Sequence, residues 1–333
     1  MLKHTRRGRL AAAGATLALA AVACGGNNAA GNGGVNSDGQ SLSGTIRIDG
    51  SSTVAPLSEA AAELFREDNG NVQITVGTSG TGGGFEKFCN GETDISDASR
   101  PIKDEEKAAC DAKSIVFDEL QVANDALTVV VNKENDWIDC ITVDQLKAIW
   151  DQGSKVNNWN QVDPKFPSVP MKLFGAGTDS GTFDYFTDEI NGEEGRSRTD
   201  YEATEDDNRT VTGVSGDKGG LGYFGFSYFE ENADKLKPLK VDGGGGCVEP
   251  SVATVQDGTY KPLARPLFVY PSAKLLAKAE GLAFVQYYAD HATEIAEDAR
   301  FVPLTDAQKA DLKAKIDALR AKAGPGATAT PSQ

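Results

Sequence analysis

Asp49-Gly50-Ser51-Ser52-Thr53-Val54-Ala55-Pro56 joins two kinds of periodicity. Before it, Ile46-Arg47-Ile48-Asp49 alternates apolar and polar residues, as a half-buried strand does. After it, Leu57, Ala60, Ala61, Leu64 and Phe65 recur at helical spacing, and Pro56 suits a first helical turn. The stretch therefore reads as strand, hydroxyl-rich turn, helix. Two further stretches repeat the pattern. Val72-Gln73-Ile74-Thr75-Val76 leads into Thr78-Ser79-Gly80-Thr81-Gly82-Gly83-Gly84, with Phe85 and Phe88 beyond. Met171-Lys172-Leu173-Phe174 leads into Gly177-Thr178-Asp179-Ser180-Gly181-Thr182, with Phe183, Phe186 and Ile190 beyond. A helix start presents unpaired backbone N–H groups and the positive end of the macrodipole. Three such starts converging on one point would cage an oxyanion in neutral donors.

Each turn alone has a plainer reading. Ser52 and Thr53 stand where an N-cap would, and capping is a common task for Ser and Thr. The glycines of the second turn allow close backbone approach to a ligand, but they also suit an ordinary loop. No Gly-Lys-Ser/Thr follows them and the G-x-G-x-x-G spacing is missing, so neither a P-loop nor a dinucleotide fingerprint is present. Arg100, in Ser99-Arg100-Pro101, is the candidate charge partner, because its planar fork matches two oxygens of a phosphate. Pro101 biases it towards an extended backbone. The alternative for Arg100 is a surface ion pair with the acids at Asp104 to Glu106.

The chain has 333 residues, enough for two ordinary domains, and a formal net charge of −16. Its first 23 residues hold four basic side chains and no acidic ones; removing those four from 33 leaves 29 basic against 49 acidic, a net of −20. That excludes nucleic acid as the expected partner. A local anion site is still compatible with it, since distant surface charges are screened within about 8–10 Å.

Lys3, Arg6, Arg7 and Arg9 precede the apolar run Leu10 to Val22, which is too short to span a membrane, so residues 1–23 read as an export signal. Ala21-Val22-Ala23-Cys24-Gly25 is similar to a lipoprotein cleavage box, with Ala21 in place of the usual leucine; Cys24 is the expected lipidation site. Residues 24–43 read as a Gly/Asn/Ser-rich tether and 323–333 as a disordered tail. No Cys-x-x-Cys occurs. Only His4 and His291 are present, the latter inside the helix-like run Phe284 to Ala296, and there is no G-x-S-x-G elbow, so neither a histidine metal site nor a serine hydrolase is expected. The expectation is a binding protein without metal or cofactor, not an enzyme.

Alternating strand-like and helix-like runs give an α/β class. Strands are expected at 45–49, 72–77, 94–98, 114–117, 126–132, 171–175, 221–225 and 266–270. Helices are expected at 56–68, 83–89, 104–112, 143–150, 183–190, 273–290 and 305–322.

These landmarks resemble those of the phosphate-binding proteins that serve high-affinity phosphate ABC importers. The matching stretches are Asp49 to Pro56, Gly77 to Phe85, Ile95 to Pro101, Gly177 to Phe183 and Leu221-Gly222-Tyr223-Phe224-Gly225, in the family's order. The resemblance covers roughly residues 43 to 320 and implies a two-lobed, type II periplasmic-binding-protein fold with two hinge crossings. Lobe 1 would hold 44–125 plus 265–322, and lobe 2 would hold 126–264. Phosphate would lie in the cleft between them, at the C-terminal ends of strands. The ligand set implied is Ser51, Ser52, Thr53, Ser79, Ser99, Arg100, Asp179, Ser180, Gly181 and Thr182. One branch of the family carries its phosphate arginine where this chain has Ala176, and an aspartate acceptor where it has Ser99. A second branch has Ser-Arg-Pro, as at Ser99-Arg100-Pro101, which places the positive charge on Arg100. The acceptor of the phosphate proton is then Asp179 or Asp97, with Asp179 preferred because it lies inside a donor loop. Their other reading is turn-stabilising aspartate.

Beyond Cys24 there are four cysteines, Cys89, Cys110, Cys140 and Cys247, and two disulfides are expected in an exported chain. Three pairings are open; Cys89–Cys110 with Cys140–Cys247 is favoured because each pair then stays within one presumed domain. The partners implied are inorganic phosphate, an importer permease and, through the lipid anchor, the membrane, with a monomer expected. The rival readings are another tetrahedral oxyanion such as sulfate or molybdate, a secreted phosphatase, and a phosphate sensor without a transport role.

Overall fold

The computed structural model describes residues 41–323. The expected signal segment, Cys24, the tether as far as residue 40 and the tail from residue 324 lie outside the described residues.

The chain opens with β1 (Gly44–Gly50), α1 (Ala55–Asp68), β2 (Val72–Gly77), α2 (Gly80–Cys89), β3 (Ile95–Ala98) and α3 (Asp104–Ala112). Ile46 and Ile48 of β1 are buried, and α1 buries Leu57, Ala61, Ala62 and Phe65 on one face. That stripe is the helical periodicity of the sequence turned into packing. Next comes β4 (Leu120–Asn132), thirteen residues long. It is followed by β5 (Cys140–Thr142), α4 (Val143–Trp150), β6 (Lys172–Ala176), α5 (Gly181–Phe186), β7 (Glu202–Thr204), α6 (Asp207–Gly216), β8 (Gly220–Gly225) and α7 (Phe226–Glu231). Short β9 (Leu236–Pro238), β10 (Lys240–Asp242), β11 (Cys247–Val248) and α8 (Val252–Gln256) lead to β12 (Ala264–Pro271). The chain then runs through α9 (Ala273–Leu276), α10 (Ala279–Asp290), α11 (Ala292–Asp298) and α12 (Asp306–Lys322).

The main sheet runs β2-β1-β3-β12-β4-β8-β6-β7, with β9 also on β4. β1 is parallel to β2 and β3, and β6 is parallel to β7 and β8. Between these parallel groups lie the antiparallel pairs of β12 with β3 and β4, and of β4 with β8. β4 is shared: residues up to Ala126 pair with β12, and Leu127 to Val131 pair with β8. The cores follow this division. One gathers Ile46, Leu57, Phe65, Leu120, Leu267, Phe284 and Leu319; the other gathers Leu127, Trp150, Phe186, Tyr223 and Leu263. A smaller cluster of Phe85, Phe88 and Tyr270 packs beneath α2.

Disulfides join Cys89 to Cys110, tying α2 to α3, and Cys140 to Cys247, tying β5 to β11. Three local expectations are corrected. Residues 114–117 form no strand: Ser114 takes a positive φ of 56° as α3 ends, and only Phe117 makes an isolated bridge, to Ser272. The expected helix 273–290 breaks after Leu276, because Lys278 is extended (φ −95°, ψ 142°) at the start of α10. His291, expected inside a helix, stands between α10 and α11, where its ring stacks on Tyr287.

Candidate functional site

The first turn is a folded loop ahead of its helix. The Ser51 N–H donates to the Asp97 carbonyl at 2.9 Å, and the Ser51 hydroxyl accepts the Thr53 N–H at 3.2 Å. The Ser51 carbonyl then accepts from both Val54 and Ala55. Val54 is the N-cap of α1 and makes no side-chain cap, so the capping role expected for Ser52 and Thr53 is corrected. Ser51 is buried and spends its hydroxyl on the turn, whereas Ser52 is exposed and its hydroxyl has no partner among the described residues. Thr53 points towards the third turn: a β-carbon on Gly181 would stand 2.5 Å from Thr53 Oγ1.

The second turn packs against the first from behind. A β-carbon on Gly84 would fall 2.5 Å from Gly50 Cα, so only glycine permits this approach. Ser79 precedes α2, and its N–H and hydroxyl both donate to Asp49 Oδ1, at 3.1 and 2.5 Å. Lys87 reaches the other oxygen of Asp49 at 2.6 Å. Burial alone would raise the Asp49 carboxyl, but Lys87 and Ser79 hold it below the ordinary range. The Thr81 hydroxyl meets both the Ser99 hydroxyl at 3.2 Å and the Ser99 N–H at 3.3 Å, which brings Ser99 to the second turn.

The third turn ends on Ser180, which caps α5 by accepting the Thr182 N–H at 3.2 Å. Gly181 and Thr182 begin that helix. Asp179 is exposed, and its N–H donates to Glu205 Oε1 at 3.4 Å. The side chain of Glu205 lies against the turn, since a β-carbon on Gly177 would collide with its Oε1.

The charged groups divide unexpectedly. Arg100 adjoins the second turn, its Nη2 4.0 Å from where a Gly82 β-carbon would stand. Its guanidinium is bound by Glu106, with Nη1 to Oε2 at 2.9 Å and Nη2 to Oε1 at 2.8 Å, while Nη1 also reaches the Pro101 carbonyl. The alternative pairing with the acids of α3 is therefore the one formed in this conformation. Asp97 is fully buried behind the first turn, where Oδ1 accepts the Ser58 hydroxyl at 2.9 Å and Oδ2 has no partner. Burial, aided by Asp49 and Glu59, pushes its carboxyl up to about 8 against the pull of Ser58.

One residue at the meeting of the turns is absent from the sequence reading. Arg265 of β12 lies 3.2 Å from Thr53 Oγ1 through Nη2 and 3.2 Å from Asp125 Oδ2 through Nε. Its guanidinium carbon lies 3.6 Å from the centre of the Tyr185 ring of α5. The expected strand began at 266, which left Arg265 outside it. The overlooked signal was Arg265-Pro266, the same dipeptide as Arg100-Pro101, at the edge of an apolar run.

Two half-sheets joined by β4 and β12, with loops gathered where they meet, define a two-lobed α/β solute-binding fold. The model of the PBP superfamily domain matches residues 35–291. The chain is 52% identical to Protein SphX of Synechococcus elongatus over 262 residues, 78% of this chain and 77% of the relative. It is 42% identical to the phosphate-binding protein PstS of Staphylococcus saprophyticus over 308 residues, 92% of each chain. A crystal structure of a possible phosphate binding protein from Planctomyces limnophilus superposes with a TM-score of 0.81 at 46% identity, covering 84% of this chain and all of that one. The chain belongs to the phosphate-binding proteins of the PBP superfamily. That family is one of solute-binding proteins. Among the described residues no helix is long and apolar enough to cross a membrane, and no group of His, Cys, Asp and Glu is placed to hold a metal ion.

Proposed function

We propose that this protein captures inorganic phosphate outside the cytoplasm and delivers it to an ABC importer. The observation that carries this reading is the meeting of the first and third turns at Thr53 and Gly181, in a chain whose relatives include PstS. Ser52, Thr53, Ser180, Gly181 and Thr182 offer hydroxyls and helix-start N–H groups from opposite lobes. Ser51 shapes the first turn, and Ser79 and Ser99 line the second. A buried anion needs such donors, because its desolvation cost dominates unless each oxygen is hydrogen-bonded. Arg100 joins the set on exchanging Glu106 for the anion. The lobes are 44–125 with 265–322, and 126–264. Phosphate bridges them and favours the closed state that a permease recognises.

Selectivity for phosphate rests on a carboxylate that accepts its remaining proton, and Asp179 is the one proposed. Sulfate has no proton to donate and meets a lone pair instead. Lipidation at Cys24 holds the monomeric protein at the membrane surface. Calorimetric titration with phosphate and then sulfate tests the function. Tight phosphate binding that sulfate fails to displace is expected; sulfate binding of equal strength would transfer the site to oxyanions in general.

A further inference from the structure

We propose that Arg265 supplies the standing positive charge of the phosphate site and couples that charge to lobe closure. The proposal rests on the phosphate-binding reading above. Arg265 and Asp125 face one another on β12 and β4, the two strands that pass between the lobes. Their pair is well covered, with side chains 18% and 8% exposed. From there the guanidinium reaches the Thr53 hydroxyl of the first turn and lies flat on Tyr185, just beyond the third turn. Tyr185 is itself fixed, since its hydroxyl donates to the Pro262 carbonyl at 2.7 Å. The plane of the fork is thereby set by groups from both lobes and both crossings.

Its donors are only partly used. Nε serves Asp125 and Nη2 serves Thr53, while Nη1 has no partner among the described residues. Nη1 is not sealed off from solvent, so it stays free to take an arriving anion oxygen. Arg100 differs on every count: both of its Nη atoms are spent on Glu106, and it touches one lobe only. Arg265 can take an anion oxygen without breaking a pair, whereas Arg100 must first release a bidentate carboxylate. Asp125 is the fixed counter-charge that makes the empty site tolerable. Thr53 and Tyr185 both meet the guanidinium here, so an anion bound at Arg265 would favour the arrangement that holds the two sides together.

Phosphate titration by calorimetry of the wild type, Arg100→Ala, Arg265→Lys and the double variant Arg265→Gln/Asp125→Asn decides the matter. The double variant leaves no unpaired buried carboxylate, so the fold is kept, and circular dichroism checks it. We expect at least a hundredfold loss of affinity in the double variant, about a tenfold loss with lysine, and a smaller loss for Arg100→Ala than for the double variant. A folded double variant within threefold of wild type would overturn the proposal, as would a loss confined to Arg100→Ala. Wild-type protein that gives no phosphate heat would instead bring down the functional reading on which the proposal stands.

Discussion

Thr53 Oγ1 lies 2.5 Å from the place a β-carbon on Gly181 would occupy, so the first and third turns approach one another only because residue 181 is glycine. Gly181→Ala should act on closure and spare folding, since each lobe keeps its own core. Overpacking of this kind costs about 1–3 kcal/mol. Phosphate affinity is expected to fall about tenfold to a hundredfold while the melting midpoint of the empty protein stays within a few degrees. An unchanged dissociation constant would show that the turns need not meet.

Gly84 gives the opposite result. Its β-carbon would meet the backbone of Gly50 at 2.5 Å and the Asp49 carbonyl at 2.9 Å, inside one lobe. Backbone cannot rotate aside as a threonine can. Gly84→Ala should lower the stability measured by urea unfolding by at least about 2 kcal/mol. Wild-type stability in that variant would mean that β1 and α2 can separate freely.

Arg100→Ala removes a partly buried ion pair and strands Glu106, whose Oε2 also accepts the Lys103 N–H at 2.9 Å. Glu106 is held below the ordinary carboxylate range: burial pushes it up, and Arg100 with the Lys103 N–H outweigh that push. The expected loss of stability is about 1 kcal/mol or less. The phosphate affinity of the same variant, measured beside it, separates a structural Arg100 from a ligand.

Asp97 should make stability depend on pH. It is enclosed by Ser58, Tyr288, Asp49 and Glu59, and burial raises it from 3.8 to about 8 in the folded protein. Between those values the folded chain holds a proton that the unfolded chain has shed, so this contribution to stability declines as pH rises from about 4 to about 8. Asp97→Asn keeps an acceptor for the Ser58 hydroxyl and removes the titration. Thermal melts from pH 5 to pH 8 should show a smaller decline in Asp97→Asn than in wild type. Parallel declines would mean that Asp97 is ionised in the fold.

The turns were legible because their signals are local. Alternation in Ile46 to Asp49, then hydroxyls, then the helical spacing of Leu57, Ala61 and Phe65 requires no knowledge of the rest of the chain. β1, α1, β2, α4 and α12 lie close to where periodicity places them. Local signals misled where neighbours intervene. The end of α3 takes Ser114 into positive φ and removes a strand, and Lys278 splits an apolar run that would otherwise be one helix. The ten residues of α6, started by the Asp206 cap, were missed because Gly213 and Gly216 dilute the apolar stripe of Val211 and Val214.

By itself, the amino-acid sequence determined the α/β class, the three strand–turn–helix units and the family landmarks, all of which depend on residues a few positions apart. Only the tertiary structure decided which cysteines bond among three possible pairings, and that Arg100 is taken by Glu106. It also decided that Arg265, 212 positions from Thr53, stands beside it. The physical reason is that a charge is assigned by what surrounds it within a few ångströms. For Arg265 those surroundings come from β4, α5 and the first turn, which only the folded chain brings together.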